Sequence, residues 1–125
     1  MKQIIAKKAP AAIGPYCHAV IQGNLAFCSG QIPLDPETMT LVGPTIEAQT
    51  AQVMKNIEAV LSEVGTTLNK IIKTTIFLKS MEDFEQVNKV YDACLKGHKP
   101  ARSTVEVARL PKDAKIEIEC IAVIE

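Results

Sequence analysis

Lys115-Ile116-Glu117-Ile118-Glu119-Cys120-Ile121-Ala122-Val123-Ile124-Glu125 is the stretch on which the reading of the fold turns. Side chains alternate between the two faces of a strand, so Ile116, Ile118, Cys120, Ala122 and Ile124 make one continuous apolar face. The opposite face reads Lys115, Glu117, Glu119, Ile121, Val123 and Glu125, charged at one end and apolar towards the other. Helices cover one side of such a sheet. Apolar residues left on the other side of a small protein mark an interface. Self-association is the economical reading, and it sets Glu119 beside a desolvated surface.

Working outward from that strand, Arg102 to Ala108 reads as a second strand, joined to it through a Pro111-Lys112-Asp113 turn. Phe84, Val87, Val90, Tyr91, Cys94 and Leu95 repeat at helical spacing, with Ser80 as N-cap and Gly97 as stop. Ile71 to Leu78 is β-branched and strand-like. Ile46, Val53, Ile57, Val60, Leu61 and Val64 form a second helical stripe after Thr45, with Gly65 placed for a left-handed cap. Gly23-Asn24 between His18–Ile21 and Leu25–Cys28 reads as a two-residue hairpin turn. Ser29-Gly30-Gln31 ends that hairpin and, like Gly14-Pro15-Tyr16, reads as a turn. With a strand near Lys2 to Lys7, the expectation is one α+β domain over residues 1–125, in the order βββαβαββ.

The bulk composition excludes more than it assigns. The 125 residues carry 14 basic and 14 acidic side chains, so no long-range field is available to hold a polyanion. Five aromatics and no Trp leave little for base stacking. No apolar run approaches the roughly 18 residues of a membrane span, and the first residues lack a signal-peptide block. Cys17, Cys28, Cys94 and Cys120 are scattered without a C-x-x-C pair, which suits a reducing, cytoplasmic setting.

Two residues stand out chemically. Twelve of the 14 basic side chains are Lys, so Arg102 and Arg109 are exceptions. Arg102 follows a Pro-fixed entry at a strand start, and its planar fork suits bidentate capture of a carboxylate. On the residues alone, a surface Arg or a structural ion pair with a Glu is the plainer reading. Glu119, flanked by Ile118, Cys120 and Ile121, could handle water as a partly desolvated carboxylate, although a solvated strand Glu is the commoner case. His18 and His98 have no partner at metal-ligand spacing, and neither a P-loop nor a dinucleotide fingerprint is present.

Ala12-Ile13-Gly14-Pro15-Tyr16, Ser29-Gly30-Gln31-Ile32-Pro33, Pro100-Ala101-Arg102-Ser103, Val107-Ala108-Arg109-Leu110-Pro111-Lys112 and Ile116-Glu117-Ile118-Glu119 together resemble the Rid family. This is the YjgF/YER057c/UK114 group, and the likeness is to its RidA branch of reactive-intermediate deaminases, from about Ile4 to Val123. The resemblance implies a chorismate-mutase-like sheet backed by two helices. It also implies a homotrimer whose sheets surround a central barrel, with sites in the clefts between subunits.

The activity so implied is hydrolysis of 2-enamine and 2-imine acids, such as 2-aminoacrylate and 2-iminobutanoate, to 2-keto acids and ammonia. Pyridoxal-phosphate dehydratases acting on serine or threonine would release those substrates, and no cofactor or metal is called for. By the same resemblance Arg102 grips the substrate carboxylate and Glu119 positions the attacking water. Gly30 and Thr104 contribute backbone contacts, and Tyr16, Ser29 and Asn88 line the pocket. Three departures accompany it: Thr104 replaces a frequent Cys, Leu95–Pro100 is short and lacks an aromatic, and Met39 stands where a turn Gly is common. Rival expectations are a ribonuclease or translation-inhibitor role, disfavoured by the charge balance, and a non-catalytic ligand-binding or chaperone-like trimer.

Overall fold

Residues 1–125 are described by a computed structural model. Six strands and two helices follow one another as β1 (Lys2–Ile4), β2 (Ala19–Gln22), β3 (Leu25–Gln31), α1 (Ile46–Val64), β4 (Ile71–Leu78), α2 (Phe84–Leu95), β5 (Ala101–Glu106) and β6 (Ile116–Val123). This is the expected α+β order. The strands form one open sheet, β1-β2-β3-β6-β4-β5, antiparallel except for β4 and β5, which run parallel across the α2 crossover. The last strand in sequence therefore lies in the middle of the sheet, paired on both edges.

Its two faces separate as the alternation requires. Ile116, Ile118, Cys120 and Ala122 are buried under the helices with Ile71, Ile76 and Leu78 of β4. Val53, Ile57, Val60 and Leu61 of α1 and Val87, Tyr91 and Leu95 of α2 close over them. Each fully buried Ile or Leu stabilises by about 1.5–3 kcal/mol, so this layer is the main source of cohesion. The other face is open. It presents Phe27 beside Ile121, Leu25 beside Val123, and Phe77 between Glu117 and Val105. Phe27 and Val105 are each 43% exposed, so no element of the chain covers them.

Local chemistry sets the boundaries. Thr45 caps α1 by accepting the Ala48 N–H at 3.1 Å, and Gly65 ends it in the left-handed conformation at φ 96°. Gly23, at φ 62°, forms the tight β2–β3 turn with Asn24. Met39 does adopt a left-handed backbone, φ 59°, where glycine would be unstrained. All four cysteines are free thiols, and Cys28 and Cys120 face each other across β3 and β6.

Five expected boundaries are corrected. The strand expected over Arg102 to Ala108 ends at Glu106. The first strand stops at Ile4, because the Ala6 N–H turns to the His18 side chain instead of a neighbouring strand. Ser29-Gly30-Gln31 is not a turn but the end of β3. The pairing changes from Cys28–Cys120 to Gln31–Ile118, so one extra residue is accommodated as a bulge. Ser80 caps a 3-10 turn over Met81–Asp83 by accepting the Glu82 N–H, and α2 begins after it at Phe84. The left-handed stop of α2 starts one residue early, at Lys96.

Candidate active site

The bulge on β3 and the Glu-x-Glu alternation on β6 create one half of the site. Ser29 and Gly30 meet Glu117 and Glu119 at a cleft of about 540 Å³, with Tyr16 and Lys112 on its rim. Ser29 is fixed by donating its hydroxyl to the Cys17 carbonyl at 2.7 Å. Gly30 leaves the room that the Glu117 side chain occupies. A Cβ there would collide with Glu117 Oε2 and come within 2.9 Å of its Cδ, so the carboxylate would have to move. The loop behind the cleft is held by Asn56 of α1, whose side-chain amide donates to the Ile32 and Leu34 carbonyls at 3.1 and 3.0 Å.

The two carboxylates differ from expectation. Glu119 is exposed in the chain, and Glu117 is the half-buried one. Burial is the larger cause raising the Glu117 carboxyl above its usual range, and the neighbouring Glu119 charge adds to it. Neither the lone-residue argument for Glu119 nor the family likeness pointed to Glu117. The signal was present in the i, i+2 spacing of Ile116-Glu117-Ile118-Glu119, which puts both acids on one face.

Arg102 and Asn88 make the other half. Arg102 Nη1–H donates to Asn88 Oδ1 at 2.9 Å, and the guanidinium carbon sits 5.6 Å from the Phe84 ring centre and 5.3 Å from that of Tyr91. Both rings belong to the helical stripe of α2, and they also hold the cation. Tyr91 is itself fixed by a 2.7 Å hydrogen bond between its hydroxyl and Thr74 Oγ1. Burial raises the Tyr91 phenol, partly opposed by that bond and by the Arg102 charge. The ion pairs of the chain, Lys70–Glu125, Lys79–Asp113 and Lys99–Asp92, leave Arg102 out. The structural ion-pair reading of Arg102 therefore fails. Its remaining donors face a second cleft, about 320 Å³, shared with Asn88, His98 and Lys99.

These two halves lie on opposite faces of the sheet. Thr74 of β4 pairs with Arg102, and Thr74 is buried on the helix side. Thr75 pairs with both Ser103 and Glu119, so the β5 residue on the Glu119 face is Ser103. Thr104 lies on the helix side opposite Ile76, lines neither cleft, and its buried Oγ1 has no hydrogen-bond partner. One chain thus gathers Tyr16, Ser29, Gly30 and Glu119 in one place and Arg102 with Asn88 in another. No group of three or more His, Cys, Asp or Glu side chains is arranged to hold a metal ion. No helix is long and apolar enough to cross a membrane.

An open mixed sheet with two helices on one face, a glycine-lined carboxylate cleft and an Arg-Asn cleft describes a small α+β protein whose site is divided between two surfaces. The chain belongs to the family described as endoribonuclease L-PSP, the YjgF/Rid family, whose model matches residues 6–124. It is 49% identical over 125 residues to a 2-iminobutanoate/2-iminopropanoate deaminase of Salmonella typhimurium, covering 98% of this chain and 97% of that one. Among solved structures, the YjgF gene product of E. coli matches with TM-score 0.95 and 47% identity over 100% of both chains. E. coli TdcF with bound serine matches with TM-score 0.95 and 41% identity, again over 100% of both.

Proposed function

We propose that the protein hydrolyses reactive 2-enamine and 2-imine acids to 2-keto acids and ammonia, as a homotrimer in the cytoplasm. The observation that carries this reading is the Arg102 guanidinium. It is oriented by an amide and two rings, lacks any carboxylate of its own chain, and opens onto a cleft. That is a seat for a small carboxylate ligand. The 49% identity to a protein named for this reaction supports the same choice.

The chemistry asks little of the protein. An enamine becomes the imine by moving a proton from nitrogen to its β-carbon, and once the imine nitrogen is protonated its carbon is electrophilic. A water held by the Glu119 carboxylate adds to it, giving up a proton and leaving a tetrahedral amino alcohol. The nitrogen is protonated, the carbon–nitrogen bond breaks with its electron pair leaving as ammonia, and loss of the hydroxyl proton gives the ketone. Arg102 holds the substrate carboxylate so that the carbon meets the water, an orientation effect rather than a covalent one. Tyr16, Ser29, Asn88 and the backbones of Gly30 and Thr104 complete the pocket in this reading. Arg102 and Glu119 must then come from different subunits, because the sheet separates them within one. The uncovered Phe27, Phe77, Val105 and Ile121 face supplies a surface for that association.

The direct test adds the protein to a pyridoxal-phosphate-dependent serine or threonine dehydratase reaction. Faster release of ammonia and keto acid is expected. No acceleration, or RNA cleavage without it, would refute the proposal. Gly30→Ala provides a local check. The new methyl displaces the flexible end of Glu117 rather than backbone, so stability should stay within about 1 kcal/mol of wild type. Deaminase kcat/KM should nevertheless fall by roughly tenfold or more, as the cleft is refilled and its carboxylate moved. Melting temperature and kinetics measured on one preparation separate the two effects.

A further inference from the structure

His18 is 1% exposed and lines neither half of the proposed site, yet both its ring nitrogens are engaged. The Ala6 N–H donates to Nδ1 at 2.8 Å, and Nε2 lies 2.7 Å from the Pro10 carbonyl oxygen. A backbone amide only donates and a carbonyl only accepts, so these contacts select one form of the ring: neutral, with its proton on Nε2. The main chain of His18 is pinned as well. Its N–H donates to the Ile4 carbonyl and its own carbonyl accepts the Ser29 N–H, both at 2.9 Å.

The segment tied by this ring, residues 5–17, contains no helix or strand. Its internal bonds are few and local: Tyr16 N–H to the Gly14 carbonyl at 2.9 Å, Ala9 N–H to the Ala6 carbonyl at 3.4 Å, and Ile13 N–H to the Tyr16 hydroxyl at 3.3 Å. Even so, Pro10, Ala11, Ile13 and Tyr16 form one wall of the cleft that contains Glu117 and Glu119. A segment without ladder bonds keeps a defined position only where something outside it holds it.

We infer that His18 is a positioning residue, which sets the Tyr16 wall of the cleft by holding Ala6 and Pro10 and does so only as the neutral imidazole. Protonation turns Nδ1 into a donor facing the Ala6 N–H, two donors opposed in a buried site, and that end of the tether opens. The hollow that His18 lines is shared with Lys7 and Tyr16 and contains no acid to hold an imidazolium. Cys17 is its neighbour in sequence, Cys28 stands on β3 opposite Ala19, and β1 presents Ile4. The catalytic consequence rests on the proposed deaminase site; the tether itself does not.

Glutamine distinguishes this role from space filling. Its amide offers one acceptor and one donor, as the neutral ring does, and it does not titrate. Hydrogen exchange of residues 5–17 is followed by mass spectrometry in the full chain. His18→Ala should exchange roughly tenfold faster than wild type, the change expected from losing one buried hydrogen bond. His18→Gln should keep most of the wild-type protection. With an imine substrate, His18→Ala should raise KM by roughly tenfold with kcat little changed, and His18→Gln should recover most of that loss.

Wild-type protection in His18→Ala would overturn the inference, and so would exchange in His18→Gln as fast as in His18→Ala. Should His18→Ala fail to fold, His18→Gln decides alone: wild-type protection supports the tether and its loss overturns it. The exchange measurement needs no substrate. Absence of deamination would therefore remove the proposed activity and leave the tether standing, whereas unchanged exchange would remove the tether even in an active deaminase.

Discussion

Arg102→Ala is expected to lower kcat/KM for a 2-imino acid by roughly 10²–10⁴-fold while leaving the folded state nearly as stable. The magnitude follows from the two charge-assisted hydrogen bonds of a guanidinium–carboxylate fork, each about 1.5–3 kcal/mol. Stability should change little because Arg102 has no ion pair to lose, only the Asn88 bond and the contacts over Phe84 and Tyr91. Arg102→Lys should recover little. An ammonium keeps the charge but presents a point donor, and it cannot donate to Asn88 Oδ1 while offering a planar pair of N–H groups to the substrate. Stopped assays on 2-iminobutanoate generated in place, with thermal melts on the same samples, measure both quantities. A loss of activity matched by a loss of folded protein would show a structural residue, not an anchor.

What made Arg102 legible was scarcity: with twelve lysines supplying the surface charge, an Arg at a strand start called for a reason. What surrounds it was not legible. Phe84 and Tyr91 sit at helical spacing, which by itself marks only a packed face, and Tyr91 is buried. That the same rings flank the guanidinium depends on the α2 crossover laying its helix beside β5, which no local pattern encodes. The fold was easier. Period-2 alternation in Ile116–Val123 and period-3.6 stripes in both helices are properties of single segments, and each was recovered to within a few residues. Two of the errors fell where a long-range partner intervened. Ala6 leaves β1 for a side chain twelve residues away, and Ser29–Gln31 continues as strand because β6 lies beside it.

Glu119 shows the limit from the other side. Its sequence neighbours are apolar, which suggests desolvation, but Ile118 and Cys120 point to the opposite face, and Ile121, on the same face, leaves Glu119 exposed. Glu117 is half-buried instead, over Gly30. In the proposed assembly, burial of Glu119 comes from outside the chain, through the same association that brings Arg102 to it.

Mixing two inactive proteins should therefore restore activity. Arg102→Ala lacks the anchor but keeps Glu119, and Glu119→Ala the reverse. Within one chain Arg102 shares a face with Thr74 and Glu119 shares the other with Ser103, so a single copy does not bring the two together. If each site takes Arg102 from one subunit and Glu119 from the next, random reassembly of equal amounts gives about a quarter of all sites both wild-type groups. Activity should rise from background to about that fraction of wild type after the two variants are unfolded and refolded together, and stay at background when they are refolded apart. A chain that formed its site alone would give no recovery at any ratio. The double variant Arg102→Ala/Glu119→Ala refolded with wild type separates the cases further. Sites within single chains would leave activity proportional to the wild-type fraction, whereas shared sites would make it fall as the square of that fraction.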